Sequence, residues 1–242
     1  MFPVLLNCGI CLTEIALRAV LNYKGIPYRT KWVESPDIAP LSKKLGINPT
    51  GLKKDGSPLY TLPAIHDPST GTYIADSLAI AEYLERTYPD TPSVFPSGTA
   101  TLQKAFESNL ISTLGAAWAF SIPASYSRLN PVSAEYFRRT SEISYGMKLE
   151  DSVPTGDARI EEWGKFEKGM DRLHSYLIST DKNGPYMMGN TISWSDLVLF
   201  SFLSYFKAAW GGDSQEWKDI ASWNDGRWEA YMNALKECQT VV

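Results

Sequence analysis

The chain has 242 residues, a formal net charge of −4, 44% hydrophobic residues and 21% charged residues. That length holds one large domain or two small ones around a sizeable core. The mildly acidic balance excludes a basic nucleic-acid footprint, no apolar run is long enough to span a bilayer, and three cysteines are too few for a secreted disulfide framework.

In chain order, Met1 to Leu6 is apolar but short and lacks basic residues, so it does not read as a signal peptide; a reducing cytosol is the expected setting. Val4-Leu5-Leu6 predicts a short strand. Leu12, Ile15, Ala16, Ala19, Val20 and Tyr23 recur at helical spacing and predict one apolar helix face. Gly25 suits the left-handed cap and Pro27 blocks continuation. Tyr28 to Val33 is rich in β-formers and predicts a strand. Pro40 to Leu45 predicts a short helix closed by Gly46, and polar Asn48 to Pro58 a loop. A strand led by Pro63, starting at Ala64-Ile65, and a second over Thr72 to Ala75 flank the turn Asp67 to Gly71. Asp76-Ser77 then opens a helix whose face is Ile80, Ala81, Leu84 and Tyr88. The order is β-α-β-α-β-β-α, an α/β unit with a mixed sheet.

Three prolines lie between Pro89 and Gly98, a composition that predicts a linker. The expected division is residues 1–89, a linker over 90–98, and an all-helical domain over 99–242. In the helical part, Ile160, Trp163, Phe166, Met170, Leu173 and Leu177 form one stripe between Ala158 and Ile178. Ser193 and Asp196 have capping-box spacing, with Ile192 and Leu197 placed as a staple. Leu197 to Trp210 is apolar nearly all round and predicts a buried central helix ended by Gly211-Gly212.

Four groups of residues invite chemistry. Cys8-Gly9-Ile10-Cys11 is a C-x-x-C before an amphipathic helix, the pattern of thioredoxin-like redox motifs. Free amides at a helix start stabilise a thiolate, while two small polarisable side chains buried for packing are the plainer reading. Proline cannot donate to a sheet ladder, so a cis Leu62-Pro63 bond would turn the Leu62 peptide outward, where an extended peptide could pair with it. Asp76 and Ser77 would sit beside it at a helix start, suited to a ligand with both an ammonium and a carboxylate. Taken alone, these residues favour the plainer reading, a hairpin with an edge proline and Asp76 as an ordinary cap. Trp118, Phe120 and Tyr126 surround Pro123 and could line an apolar pocket, or simply pack. His66 and His174 lie in no metal-ligand spacing, and there is no Walker loop, G-x-G-x-x-G or G-x-S-x-G. No metal is expected.

Five stretches together resemble one family: Leu21-Asn22-Tyr23-Lys24-Gly25-Ile26-Pro27-Tyr28, Tyr60-Thr61-Leu62-Pro63, Tyr136-Phe137-Arg138-Arg139-Thr140, Phe166-Glu167-Lys168-Gly169 and Glu216-Trp217-Lys218-Asp219-Ile220. With a Pro-led strand, an Asp-Ser pair, a linker and a helical domain, they look like a cytosolic glutathione transferase of the fungal-specific A class, itself similar to bacterial lignin β-etherases. The combination is specific and runs from Leu21 nearly to the C-terminus; no single motif is. The resemblance implies a thioredoxin-like domain whose Leu62 backbone, beside cis Pro63, pairs with the cysteinyl part of glutathione. It implies that Asp76 and Ser77 hold the γ-glutamyl end and that Lys53 or Lys54, with Lys54 preferred, meets the glycyl carboxylate. It further implies glutathione as co-substrate, an apolar aromatic second substrate against Trp118, Phe120 and Tyr126, a cytoplasmic homodimer and a detoxifying role. The N-terminus departs from the class: counted back from Asn22-Tyr23-Lys24-Gly25, the class serine falls at Cys11. Either Cys11 acts in its place, as in omega-like transferases, and favours thiol transfer, or the catalytic loop is incomplete and the chain is a ligandin-like carrier.

Overall fold

A computed structural model describes residues 2–7, 11–179 and 184–240. Strand β1 (Phe2–Leu6) is followed by α1 (Leu12–Tyr23), β2 (Tyr28–Trp32), a short turn of helix over Ser35–Asp37, α2 (Ile38–Lys44), β3 (Gly51–Leu52), β4 (Pro58–Leu59), β5 (Ala64–Asp67), β6 (Thr72–Ala75) and α3 (Ser77–Thr87). The main sheet has the order β2-β1-β5-β6, with β1 parallel to β2 (Val4 opposite Thr30) and the other pairs antiparallel. The expected mixed sheet is therefore present. The expected loop after Asn48 instead contains the hairpin β3–β4, Gly51 opposite Leu59 and Leu52 opposite Pro58. Two-residue strands carry no alternation to read; the turn is made by Gly56 at φ 80° and by the Asp55 carboxylate, which accepts from the Ser57 amide and hydroxyl. Helix α2 also starts earlier than Pro40, because a proline in the first turn lacks only an N–H that has no intrahelical partner.

Helix α1 is buried nearly all round, including Leu17, Leu21, Glu14 and Arg18. One apolar face was expected; the second is covered because α1 lies between the sheet and the helical half of the molecule, where it packs most extensively on one long helix, described next.

That half contains α4 (Ala100–Thr113), α5 (Trp118–Ser125), α6 (Pro131–Tyr145), α7 (Gly156–Ile178), α8 (Trp194–Trp210) and α9 (Gln215–Ala234), the last broken at Trp223–Gly226. Helix α8 is the buried centre and the partner of α1. Its capping box forms as expected, and Asp196 accepts from the Ser193 amide and hydroxyl, the Met187 amide and the Tyr231 hydroxyl. Trp163 and Phe166 of the α7 stripe meet rings of α8, and Phe166, Met170, Leu173 and Leu177 are buried, but Ile160 is 73% exposed. Trp163, Phe166, Phe206 and Trp210 form one aromatic cluster, with the Phe206 and Trp210 rings stacked 5.2 Å apart.

The segment between α3 and α4 is tied down. The buried Lys24 ammonium at the end of α1 donates to Glu85 (2.7 Å) and to the Pro92 carbonyl (3.0 Å), Glu85 also accepts from Ser93 and Val94, and the Trp194 amide donates to the Val94 carbonyl. No described helix is long and apolar enough to cross a membrane.

The β5–β6 hairpin is locked to α3 by one carboxylate. Asp67 is fully buried and accepts from the Tyr83 and Tyr88 hydroxyls (2.6 and 2.7 Å) and from the amide and hydroxyl of Ser69. Burial pushes its pKa up, but the hydrogen bonds outweigh burial and hold it at about 2, below the ordinary 3.8. The charged form is thus favoured in the fold. Stability from Asp67 is complete above pH 4 and is lost as the pH falls toward 2. Asp67→Asn is expected to lower the thermal midpoint at neutral pH and to flatten the pH dependence of stability between 4 and 2, as read by circular dichroism melts.

Candidate functional site

The Leu62–Pro63 bond is cis, as the sequence suggested, and it lies just before β5, whose pairing with β1 begins at Ala64. Leu62 therefore sits beyond the end of an interior strand, outside the ladder, with its side chain buried among Leu5, Val33, Ile47 and Ala64. Its carbonyl accepts from the Thr13 hydroxyl (3.3 Å), and the same hydroxyl lies 3.4 Å from the Cys11 Sγ.

Cys11 is the N-cap residue of α1, with extended backbone and its carbonyl accepting from the Glu14 and Ile15 amides. Its side chain is half-buried. Thus the thiol, Thr13 and Leu62 meet in one row at the start of α1. Cys238 is buried and its thiol is pushed up to about 11 by burial, so it stays protonated and inert at neutral pH. Cys8 lies outside the described residues.

On the other side of Pro63, the Asp76 amide donates to the Pro63 carbonyl. Asp76 is exposed, has φ 81°, and caps α3 by accepting from the Ala79 amide (2.9 Å), while Ser77 beside it is buried. A non-glycine residue at positive φ is uncommon and is held there by its surroundings. Asp76 is thus both a cap and a carboxylate presented at a helix start. Glu107 of α4 is a residue that sequence reasoning missed. It accepts from the Trp194 indole (2.8 Å), and its pKa is raised by burial and by the charge of Asp76.

Lys54 is exposed and reaches α6, donating to the Ser144 carbonyl (3.4 Å). Lys43 of α2, not singled out from the sequence, lies over the Tyr60 ring, 5.7 Å from its centroid, on the segment leading to Leu62.

The three aromatic candidates do not share one pocket. Trp118 lines a cleft of about 280 Å³ with Cys11, Leu12, Ile122, Phe137 and Tyr205. Phe120 and Tyr126 line a different cavity of about 490 Å³ with Pro123 and Trp210. Both cavities flank α5, and residues three or four apart share a helix face: 118, 122 and 125 border the first, 120, 123 and 124 the second. Side-chain direction on a helix interrupted by Pro123 was not legible from composition. The cleft wall at Phe137 and Ser35 was also missed, because it forms only where α6 meets the Ser35 turn. There the Ser133 hydroxyl bonds Glu34 and lies 2.8 Å from the Ser35 amide that donates to it.

His66 stacks on Tyr73 across β5–β6, and no group of metal ligands occurs among the described residues.

Comparison with known proteins agrees with this geometry. Residues 15–87 match the family model "Glutathione S-transferase, N-terminal domain" and residues 101–237 "Glutathione S-transferase, C-terminal domain". The chain is 32% identical over 234 residues to the glutathione S-transferase-like protein ustS of Aspergillus flavus, covering 91% of this chain and 81% of that protein. It is 38% identical to glutathione S-transferase CsGST63524 of Ceriporiopsis subvermispora, solved in complex with glutathione, with a TM-score of 0.91 over 100% of this chain and 98% of that one. Glutathione transferase GSTFuA3 of Phanerochaete chrysosporium is 35% identical, with a TM-score of 0.92 over 99% and 98% of the two chains. With family models matched over residues 15–87 and 101–237 and a relative 32% identical over most of both chains, the chain belongs to the glutathione S-transferase family, enzymes that use glutathione as co-substrate.

Proposed function

We propose that the protein transfers glutathione at apolar aromatic compounds, by conjugation or by ether cleavage, and that Cys11 is the residue that meets sulfur. The observation that carries this reading is Cys11 at the start of α1, opening onto an apolar cleft walled by Trp118 and Phe137 and joined through Thr13 to Leu62.

In this reading the Leu62 backbone pairs with the cysteinyl part of glutathione. The γ-glutamyl end lies at Asp76 and Ser77, where its ammonium relieves the repulsion between Asp76 and Glu107. Lys54 or Lys43 meets the glycyl carboxylate. The aromatic substrate lies in the Trp118 cleft, whose lining is largely apolar, as small-molecule sites are. Phe120 and Tyr126 take no part there.

The thiol sets the chemistry. In ether cleavage the glutathione thiolate displaces a phenolate from an aryl-ketone methylene carbon, forming the carbon–sulfur bond of a thioether GS–R, and the Cys11 thiolate then attacks the sulfur of that thioether, whose R stabilises negative charge. The sulfur–carbon bond breaks, R leaves with a proton as R–H, and a Cys11–glutathione disulfide forms. A second glutathione thiolate attacks that disulfide, releasing oxidised glutathione and the Cys11 thiol. The thiol transfer of omega-like enzymes is the same second step. A cytoplasmic homodimer is part of this proposal, and light scattering tests the dimer.

Calorimetry should detect glutathione binding, and Asp76→Ala should weaken it about tenfold through loss of a charged partner. The same variant loses the α3 cap, at about 1 kcal/mol, so its fold is checked by a thermal melt. Cys11→Ser should bind glutathione within a few-fold of wild type yet lose thiol-transfer turnover by about 100-fold or more. Intact mass after incubation with oxidised glutathione should show one disulfide-linked glutathione on the wild type and none on Cys11→Ser. Adduct on the serine variant would assign the chemistry to another thiol and overturn the role of Cys11.

A further inference from the structure

Cys11, Thr13 and Leu62 are joined through one hydroxyl, and a hydroxyl has one proton to give. Thr13 gives it to the Leu62 carbonyl (3.3 Å). In the contact between Thr13 and Cys11 (3.4 Å) the thiol is therefore the donor. The row has a direction: the Cys11 S–H donates to the Thr13 oxygen, and the Thr13 O–H donates to Leu62. Arranged this way it requires a protonated sulfur, because a thiolate has no proton to give and would face the Thr13 lone pairs.

Backbone anchors both ends of the row. Cys11 caps α1, and Leu62 is set by the cis bond and by its buried side chain. The Thr13 hydroxyl can turn about its own C–O bond. Its bond to Leu62 is the weak member, since 3.3 Å is long against the usual range of about 2.5–3.0 Å for O–H···O. The helix start meanwhile favours charge on the sulfur, because the first amides of α1 have no intrahelical partner.

The titratable side chains around Cys11 are committed elsewhere. Glu14, one turn along α1, accepts from the Asn7 amide. Glu34, beside Ser35 of the cleft, accepts from Ser133 and Asn130. The Ser125 hydroxyl donates to the Ser121 carbonyl, so Tyr205, in the cleft with Cys11, spends its proton on Ser125 (2.8 Å). Thr13 is thus the group placed to answer a change at Leu62.

In the reading above, the cysteinyl part of glutathione pairs with the Leu62 backbone. Paired peptides exchange N–H···O bonds in both directions, so the pairing brings an amide donor to the same carbonyl. We propose that Thr13 couples occupancy of the Leu62 backbone to ionisation of Cys11. Once the glutathione amide holds the Leu62 carbonyl, the Thr13 hydroxyl turns to the sulfur, the Cys11 proton passes to solvent, and the thiolate accepts from Thr13. A hydrogen bond to a charged acceptor is stronger than one between neutral groups, which offsets the bond lost at Leu62. The inference rests on the glutathione reading and adds its order of events: the tripeptide is seated first and the nucleophile is charged second. Thr13 is a positioning residue, and an unoccupied site keeps its thiol protonated and less reactive.

The test uses the full-length protein and ophthalmic acid, the glutathione analogue with a methyl group in place of the thiol. It offers the same amide to Leu62 and no sulfur to Cys11. Ultraviolet absorbance of the thiolate, taken as the difference from Cys11→Ser across a pH titration, reads the thiolate-to-thiol ratio of Cys11. Saturating ophthalmic acid should raise that ratio about tenfold at fixed pH. Thr13→Val keeps the shape and lacks the hydroxyl. It should bind ophthalmic acid within a few-fold of wild type by calorimetry, yet its ratio, taken against the matching Cys11→Ser double variant, should move by less than about twofold. Thr13→Ser should keep the wild-type response, and Thr13→Ala replaces Thr13→Val if the latter loses the wild-type circular dichroism spectrum. An unchanged or lowered ratio in wild type with ophthalmic acid bound, or a full response in folded Thr13→Val that binds it, overturns the proposal and leaves glutathione binding standing. Failure of ophthalmic acid to bind overturns it together with the backbone pairing, and failure of glutathione as well sinks the glutathione reading itself.

Discussion

The packing of α1 on α8 is the constraint on which the rest of the molecule depends. Helix α1 is covered by the sheet and α3 on one side and by α8 on the other, so it has almost no solvent face. Its start is thereby fixed at the junction of the two halves, and that start carries Cys11 and Thr13. Helix α8 is fixed in turn by Asp196, a buried carboxylate with four donors. Burial raises its pKa despite those bonds, so it is a group whose removal would leave several orphaned donors. The central helix is thus capped, oriented and tied to α9 through Tyr231 by one side chain.

Polar clasps hold the junction in register. Lys24 binds α1 to α3 and to the segment leading into α4. Asn22 and the Tyr28 hydroxyl bind the carbonyls of Cys238 and Thr240, drawing the C-terminal end onto the α/β half. Glu34 accepts from Ser133 and Asn130, and these bonds hold its pKa below the usual range. The last clasp matters for the site, since it joins α6 to the Ser35 turn, where Phe137 lines the same cleft as Cys11. Apolar packing places the halves together, and directional bonds set how they meet.

Helix α5 separates two cavities of different chemistry. One side meets the thiol and is largely apolar apart from small polar groups at its edge. The other ends in paired arginines and carboxylates. The first has Cys11 among its lining residues. The second has no thiol among its lining residues.

The chain order of strands and helices, the Pro-led β5, the Asp76 cap and the Ser193–Asp196 box were legible in the sequence. Each depends on residues close in the chain: a proline that cannot donate, a side chain that reaches an amide three residues on, an apolar period. Hairpin β3–β4 was not legible, because two-residue strands have no period, and the second buried face of α1 was not, because it includes the charged Glu14 and Arg18, which carry no apolar period. By itself the sequence determined the local grammar and, through five scattered stretches, the family. Only the tertiary structure decided that Cys11, Thr13 and Leu62 converge, and that Trp118 lines one cleft with Cys11 while Phe120 and Tyr126 line another cavity. Those relations join residues 49 positions apart in the Thr13–Leu62 bond and 98 apart in the Ser35–Ser133 bond, and they depend on how helices rotate and dock, which no local pattern encodes.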